Sequence, residues 1–289
     1  MADVQERLLG WVRRTSIVRA AILTSMRARP EGPPDELSDW DVILAVTDPS
    51  ALVDDLDWHA EIGAPLVRWG DEDELLGHPT WFRGVVYDDG SKVDFTIWPD
   101  ALLDAIAEQD RLPPGLDHGH SVLHDPDGRT SSWPPPTFSA YVLSPPTEAD
   151  YRALVEEFWW DTTYVAKAVR RGELFFATSF VIEHDLKLIA LRRMLEWRTA
   201  AASGWTFAPG VHGRGLERRL DAGDRALLQA TYATLDADGV RRALAATIDL
   251  FRRAAIDVGH ALGYRYPEEI DGRMTILLAT TFDPPRSAP

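Results

Sequence analysis

The chain has 289 residues, 45% of them apolar, which is long enough for two domains with separate cores. Its 46 acidic and 30 basic residues give a formal charge of −16, which disfavours nucleic acid as a partner and is compatible with a small cationic molecule. The chain contains no cysteine, which excludes disulfides and thiolate metal sites, and it has no long apolar run, so we expect a cytoplasmic protein without membrane contact.

The first half of the chain alternates between helical and strand-like patterns. Four short apolar runs predict strands, and they are Val18–Leu23, Val42–Val46, Val85–Tyr87 and Val93–Ile97. The last two flank Asp88-Asp89-Gly90, a turn signal, and therefore predict a hairpin. Helical spacing of apolar residues predicts helices over Val4–Val12 and Ala101–Gln109, and residues 27–38 predict a loop because they are rich in proline and glycine.

The second half of the chain has a uniformly helical pattern. Proline is concentrated between residues 113 and 146, so we expect two domains, residues 1–135 and residues 136–289. Thr147 is a suitable N-cap for the first helix of the second domain. Further helices are predicted over Phe176–Thr199, Gly223–Leu235 and Val240–Leu262. The predicted fold class is α+β, with a mixed sheet and helices first and an all-helical domain after it.

Three acidic residues are associated with the predicted strands. Asp39 and Asp41 directly precede the run Val42–Val46, and Asp94 lies beside Val93 in a later strand. Alternate side chains of a strand share one face, so Asp39 and Asp41 can bind one cation together. Three carboxylates suit Mg²⁺, which prefers oxygen ligands and often shares them with substrate phosphates.

The spacing of Asp39 and Asp41 is weak evidence by itself. The same pattern recurs at Asp55/Asp57, Asp71/Asp73, Asp125/Asp127 and Asp236/Asp238. Two solvated aspartates at the entrance of a strand are therefore the alternative to a metal site.

Four segments of the chain resemble a known family, and they are residues 18–48, 89–99, 156–173 and 262–269. They resemble the aminoglycoside 6-adenylyltransferases, also called streptomycin adenylyltransferases, of the polymerase-β-like nucleotidyltransferase superfamily. The resemblance implies a nucleotidyltransferase domain over residues 1–135 and a helical substrate-binding domain over residues 136–289. It also implies transfer of AMP from Mg·ATP, as co-substrate, to a streptomycin hydroxyl. Nothing in the sequence indicates an oligomeric state.

The resemblance assigns roles to individual residues. Asp39, Asp41 and Asp94 match the family's three carboxylates, which implies that they hold metal and that Asp94 accepts the proton of the attacking hydroxyl. Tyr164–Lys167 matches the family's Tyr-Val-Ala-Lys, which implies that Lys167 contacts phosphate; the alternative is a solvated helix residue. Arg27 is either a phosphate ligand or a loop charge.

Acidic and aromatic residues near the start of the second domain are candidates for binding a cationic sugar. They are Glu156, Glu157 and Trp160. We expect only one of the two glutamates to face the substrate, because neighbouring positions of a helix point in different directions.

One motif departs from the family. The family has Gly-Ser-Arg where this chain has Ser25-Met26-Arg27. Glycine allows close approach of the triphosphate and serine donates to a phosphate oxygen, whereas Ser25 adds a side chain and Met26 has no donor. We expect nucleotide binding to be weaker by about 1.5 to 3 kcal/mol. The alternatives are a catalytically weak or inactive binding protein and a nucleotidyltransferase with another acceptor.

Overall fold

A six-stranded mixed sheet forms the centre of the first unit in the computed structural model, which describes residues 3–29 and 34–283. The strands are Val18–Leu23 (β1), Trp40–Val46 (β2), Pro65–Leu75 (β3), His78–Tyr87 (β4), Lys92–Pro99 (β5) and Ser121–His124 (β6). Their order is β3-β4-β5-β2-β1-β6. β2 and β5 pair in parallel, whereas the other pairs in this sheet are antiparallel. The parallel pairing brings the starts of β2 and β5 to the same edge.

Two apolar layers cover the central strands, because their side chains alternate between the two faces. One face of β2 and β5 packs against the first helix, Val4–Arg14 (α1), which contributes Leu8 and Trp11. The opposite face packs against the helix Ala101–Ala107 (α3). A short helix, Ser50–Val53 (α2), follows β2 in the chain. The first unit also contains 3₁₀ turns at Ser25–Ala28 and Asp57–Glu61 and a short helix, Pro114–Asp117 (α4).

The sequence-based strand predictions are correct for β1, β2 and the β4–β5 hairpin, in which Val85 pairs with Val93. The strand β3 was not predicted, and β4 is longer than predicted. Most residues of β3 are exposed, and the strand contains the acidic run Asp71–Glu74. It therefore lacks the apolar alternation from which a half-buried strand is recognised.

The second unit is helical. Its α-helices are Glu148–Arg171 (α5), Arg192–Ala202 (α6), Ala222–Ala230 (α7), Ala237–Leu262 (α8) and Glu268–Phe282 (α9). A π-helical segment, Phe176–Leu191, precedes α6, and 3₁₀ turns occupy Val211–Gly213 and Leu216–Arg219. A capping box between Thr147 and Asp150 starts α5, which confirms Thr147 as its N-cap. The rings of Phe158 and Phe251 stack 3.7 Å apart in the core.

The helix predictions were wrong in two places. The helix predicted to reach Leu235 ends at Ala230, and Leu235 is exposed. The helix α9 was not predicted. Helices are recognised from a stripe of apolar residues on one face, whereas α9 also carries apolar residues on its exposed side, such as Ile276 and Leu277. The mixed sheet followed by helices confirms the predicted α+β fold class.

The two compact units meet in sequence between Tyr141 and Val142. The roles expected for the two domains stay predictions. Within residues 3–29 and 34–283, no helix is long and apolar enough to span a membrane.

Candidate functional site

Three carboxylates lie together where β2 and β5 begin. The parallel register pairs Asp41 with Asp94, and Asp39 precedes β2 two residues before Asp41. The Nζ atom of Lys92 donates hydrogen bonds to Oδ2 of Asp39, at 2.9 Å, and to Oδ2 of Asp94, at 2.7 Å. The structure therefore brings the three predicted carboxylates together, around an ammonium group that the sequence analysis did not single out.

The electrostatics of this cluster favour an additional positive charge. Burial raises the pKa of Asp41, and repulsion by the carboxylates of Asp94 and Asp39 adds to the effect. Burial lowers the pKa of Lys92, but its hydrogen bonds to Asp94 and Asp39 outweigh burial, so that its pKa lies above the ordinary lysine value. One ammonium group thus compensates only part of the charge of three carboxylates.

One oxygen of this cluster has no hydrogen-bond partner among residues 3–29 and 34–283. Asp94 is 17% exposed, and its Oδ1 is buried without a hydrogen bond within the described residues. A buried carboxylate oxygen without a partner is costly, and it is available to a proton or a cation.

The family resemblance implies a divalent metal at this cluster. Across residues 3–29 and 34–283, no group of three or more histidine, aspartate or glutamate side chains is arranged to hold an ion directly. The ammonium group of Lys92 forms ion pairs with Asp39 and Asp94, and so supplies positive charge where a metal ion would supply it. The donors are all carboxylate oxygens, which fit a hard cation such as Mg²⁺.

Ser25 adopts a backbone conformation that favours glycine. Its φ of 58° lies in the left-handed region, where a side chain costs about 1 kcal/mol or more. The side chain of Ser25 interacts favourably with the charged carboxylate of Asp41, which partly offsets the rise in the pKa of that carboxyl. Met26 follows it and is 39% exposed. Ser25 is therefore directly connected to the carboxylate cluster.

Arg27 holds the segment that leads into β2. Its Nη2 donates to the carbonyl oxygen of Ser38 at 2.7 Å, and its Nε donates to that of Asp39 at 3.0 Å. Its guanidinium carbon lies 4.1 Å from the ring centroid of Trp40. These contacts place Arg27 beside Asp39, where it positions the start of β2. Its phosphate contact stays a prediction.

Two cavities adjoin the cluster, and Lys92 lines both. The larger, of about 620 Å³, also contacts Arg27, Asp39 and Trp40. The smaller, of about 270 Å³, also contacts Asp94.

The other predicted site residues lie on α5, in the second unit. Lys167 is exposed, and its Nζ lies 5.5 Å from the ring centroid of Tyr164. Glu156 forms an ion pair with Arg152 at 2.8 Å. Trp160 is 66% exposed.

A second acidic group in the helical unit was not predicted. Burial, together with the charges of Asp185 and Glu157, raises the pKa of Asp161 to about 6. Asp161 is adjacent to the predicted residues in sequence, but Asp185 lies in the π-helical segment, so only the packing of that segment against α5 reveals the group. Of the two candidate glutamates, Glu157 belongs to this acidic group, whereas Glu156 is paired with Arg152.

Comparison with known proteins gives consistent matches along the chain. A family model described as streptomycin adenylyltransferase matches residues 1–280. The chain is 28% identical over 277 residues to an aminoglycoside 6-adenylyltransferase of Bacillus subtilis (strain 168), covering 93% of this chain and 94% of the relative. It is 27% identical over 269 residues to an aminoglycoside 6-adenylyltransferase of Campylobacter jejuni, covering 92% of this chain and 90% of the relative. A crystal structure of an aminoglycoside 6-adenyltransferase from Bacillus subtilis is 23% identical, covers 98% of this chain and 100% of its own, and has a TM-score of 0.45.

The raised pKa of Asp161 predicts a pH-dependent stability. The folded protein binds this proton more tightly than the unfolded chain, so stability falls as pH rises from about 3.8, the ordinary pKa of an aspartate, to about 6. Asp161→Asn removes this effect, and we expect it to raise the free energy of unfolding more at pH 7 than at pH 4. Urea denaturation of both proteins at the two pH values measures the difference. Equal changes at pH 4 and pH 7 would contradict the assignment.

Proposed function

The chain belongs to the streptomycin adenylyltransferase family, and from this premise we propose that it transfers AMP from Mg·ATP to a hydroxyl of an aminoglycoside such as streptomycin. Family membership makes it an aminoglycoside nucleotidyltransferase. The observation that carries the proposed chemistry is the parallel register of β2 and β5, which pairs Asp41 with Asp94. The proposed acceptor is a small cationic molecule, which agrees with the similarity of this chain to aminoglycoside 6-adenylyltransferases.

In the proposed reaction, the acceptor hydroxyl oxygen attacks the α-phosphorus of ATP. The bond between that phosphorus and the oxygen bridging to the β-phosphorus breaks, and pyrophosphate leaves. The hydroxyl proton passes to Asp94. This role is supported by the buried Oδ1 of Asp94, which has no partner among the described residues, while Lys92 holds Oδ2.

Asp39, Asp41 and Asp94 would hold Mg²⁺. The bound ion would supply charge neutralisation for the triphosphate and for the departing pyrophosphate. For Asp39 to serve as a ligand, Lys92 must release it. Their side chains are 40% and 45% exposed, and such exposed pairs contribute about 0 to 1 kcal/mol, so release costs little.

Ser25, Arg27 and Lys167 are the proposed nucleotide contacts. The left-handed backbone of Ser25 supports a turn of the kind in which the family has glycine. The Ser25 hydroxyl is engaged with Asp41, and Met26 has no donor, so we propose that the nucleotide is bound weakly. The same two residues favour the second candidate function, a catalytically weak nucleotide-binding or small-molecule-binding protein.

Glu156, Glu157 and Trp160 are the proposed substrate contacts in the helical unit. Negative charge near Glu157 supports attraction of a polycation, because Asp161 and Asp185 lie close to it. The exposed ring of Trp160 offers a face to a cationic group.

Incubation with Mg·ATP and a panel of aminoglycosides, followed by mass spectrometry, tests the proposal. We expect one added AMP on at least one aminoglycoside. Nucleotide binding by calorimetry without any transfer would favour the binding-protein function instead. AMP found on a different class of acceptor would overturn the aminoglycoside assignment.

We expect Asp41→Asn to abolish transfer while the fold stays intact, and Asp39→Asn to do the same. Each substitution removes the negative charge of a carboxylate that is proposed to bind the metal. Without metal, Asp41→Asn should be slightly more stable than wild type, since it removes a repelled, half-buried charge. Turnover assays and urea denaturation measure both effects. Asp57→Asn is the matched control, because Asp57 belongs to another Asp-x-Asp pair and is exposed. Near-normal turnover in either site variant would refute the metal assignment.

Restoring the family motif is expected to strengthen nucleotide binding. Ser25→Gly suits the left-handed backbone and removes the interaction of the Ser25 side chain with Asp41, and Met26→Ser adds a donor for phosphate. We expect the double variant to bind Mg·ATP about ten to a hundred times more tightly in titration calorimetry.

Unchanged or weaker affinity in the double variant would contradict this role of the motif. Lys167→Ala then serves as the second measurement, because a protein that contacts phosphate through Lys167 loses affinity on this substitution.

A further inference from the structure

Lys92 holds two of the three carboxylates at once. Its Nζ lies 2.9 Å from Oδ2 of Asp39 and 2.7 Å from Oδ2 of Asp94. The side chain of Lys92 is 40% exposed, so this ammonium group is open to solvent. Ion pairs that are open to solvent are weak, and the ammonium can therefore exchange them for other partners.

The ammonium group occupies the space that a shared metal ion needs. Both carboxylate oxygens contact the same nitrogen atom, and a Mg²⁺ ion bound between the two oxygens would lie about 2.1 Å from each. The ion and the ammonium would then overlap, and two cations at such a distance repel each other. Lys92 and a metal ion therefore compete for Asp39 and Asp94.

The surroundings of Lys92 indicate where its ammonium goes when it leaves the carboxylates. Lys92 has a flexible stem of four carbons and lines both cavities beside the cluster. The smaller cavity is also lined by Arg68, and Asp94 is the only carboxylate among the described residues that line it. A released ammonium beside Arg68 needs an anionic partner, and the phosphate oxygens of a nucleotide are strong acceptors for it.

We propose that Lys92 is an exchangeable counter-ion, which keeps metal away from Asp39 and Asp94 until a nucleotide takes over its ammonium group. This inference rests on the function proposed above, because the metal and the nucleotide are those of that reaction. Without nucleotide, Lys92 compensates part of the carboxylate charge. With nucleotide, the ammonium passes to a phosphate oxygen and both carboxylates become free to bind metal. Lys92 thus couples metal binding to nucleotide binding, and metal alone binds weakly.

The first test is titration of the protein with Mn²⁺ in the absence of nucleotide, followed by electron paramagnetic resonance. It compares wild type with Lys92→Met, which removes the ammonium, and with Lys92→Arg, which keeps a cation. Arg7→Met is the matched control, because Arg7 lines the larger cavity but pairs with Asp89, at 2.6 Å. Thermal melting followed by circular dichroism, with a chelator present, checks that each variant is folded.

We expect Lys92→Met to bind Mn²⁺ about tenfold more tightly than wild type, because the competing cation is gone. Lys92→Arg and Arg7→Met should stay within about twofold of wild type. Unchanged or weaker binding of Mn²⁺ by Lys92→Met would overturn the inference. An equal gain in Arg7→Met would also overturn it, because the effect would then come from net charge and not from competition.

A second measurement uses wild type and does not depend on the folding of Lys92→Met. The chain has three lysines, so labelling of lysine with ¹³C at Cε gives three side-chain signals in a nuclear magnetic resonance spectrum, and Lys92→Arg identifies that of Lys92. We expect Mg²⁺ alone to leave this signal in place and Mg·ATP to shift it. A signal that saturating Mg·ATP does not move would overturn the inference. A shift with Mg·ATP in a protein that modifies no aminoglycoside would support the exchange and refute only the proposed acceptor.

Discussion

Repulsion between carboxylates at the start of two parallel strands is the constraint on which the site depends. The register of β2 and β5 brings Asp41 and Asp94 side by side, and Asp39 adds a third charge. Two compensating contacts exist in the protein itself, the ammonium of Lys92 and the hydroxyl of Ser25. They reduce the repulsion but leave Oδ1 of Asp94 without a partner among the described residues, so the site is suited to a cation and to a proton.

The carboxylates were predictable because their evidence is local. Asp39 and Asp41 directly precede an apolar strand, and Asp94 lies within another. Lys92 lies only two residues before Asp94, yet its bond to Asp39 depends on which strands are neighbours, and this is a property of the sheet. The left-handed backbone of Ser25 agrees with the glycine that the family has there, but its interaction with Asp41 required the structure.

Two further features were hidden for physical reasons. β3 is charged and mostly exposed, so its sequence lacks the alternation of a half-buried strand, and its place at the edge of the sheet beside β4 became visible only in the structure. The acidic group around Asp161 joins α5 to a π-helical segment, and Asp185 on that segment is distant in sequence. Features within one element were therefore predictable, whereas those created by packing between elements were not.

Titration with Mn²⁺, followed by electron paramagnetic resonance, tests the central claim most directly. Mn²⁺ accepts the same oxygen ligands as Mg²⁺. Because Mn²⁺ is paramagnetic, its resonance signal distinguishes free from bound ion. The account predicts that wild-type protein with ATP binds Mn²⁺ and that Asp94→Asn, with its fold intact by circular dichroism, loses most of this binding. Equal Mn²⁺ affinity in the two proteins would contradict the claim that the carboxylates of β2 and β5 form the metal site.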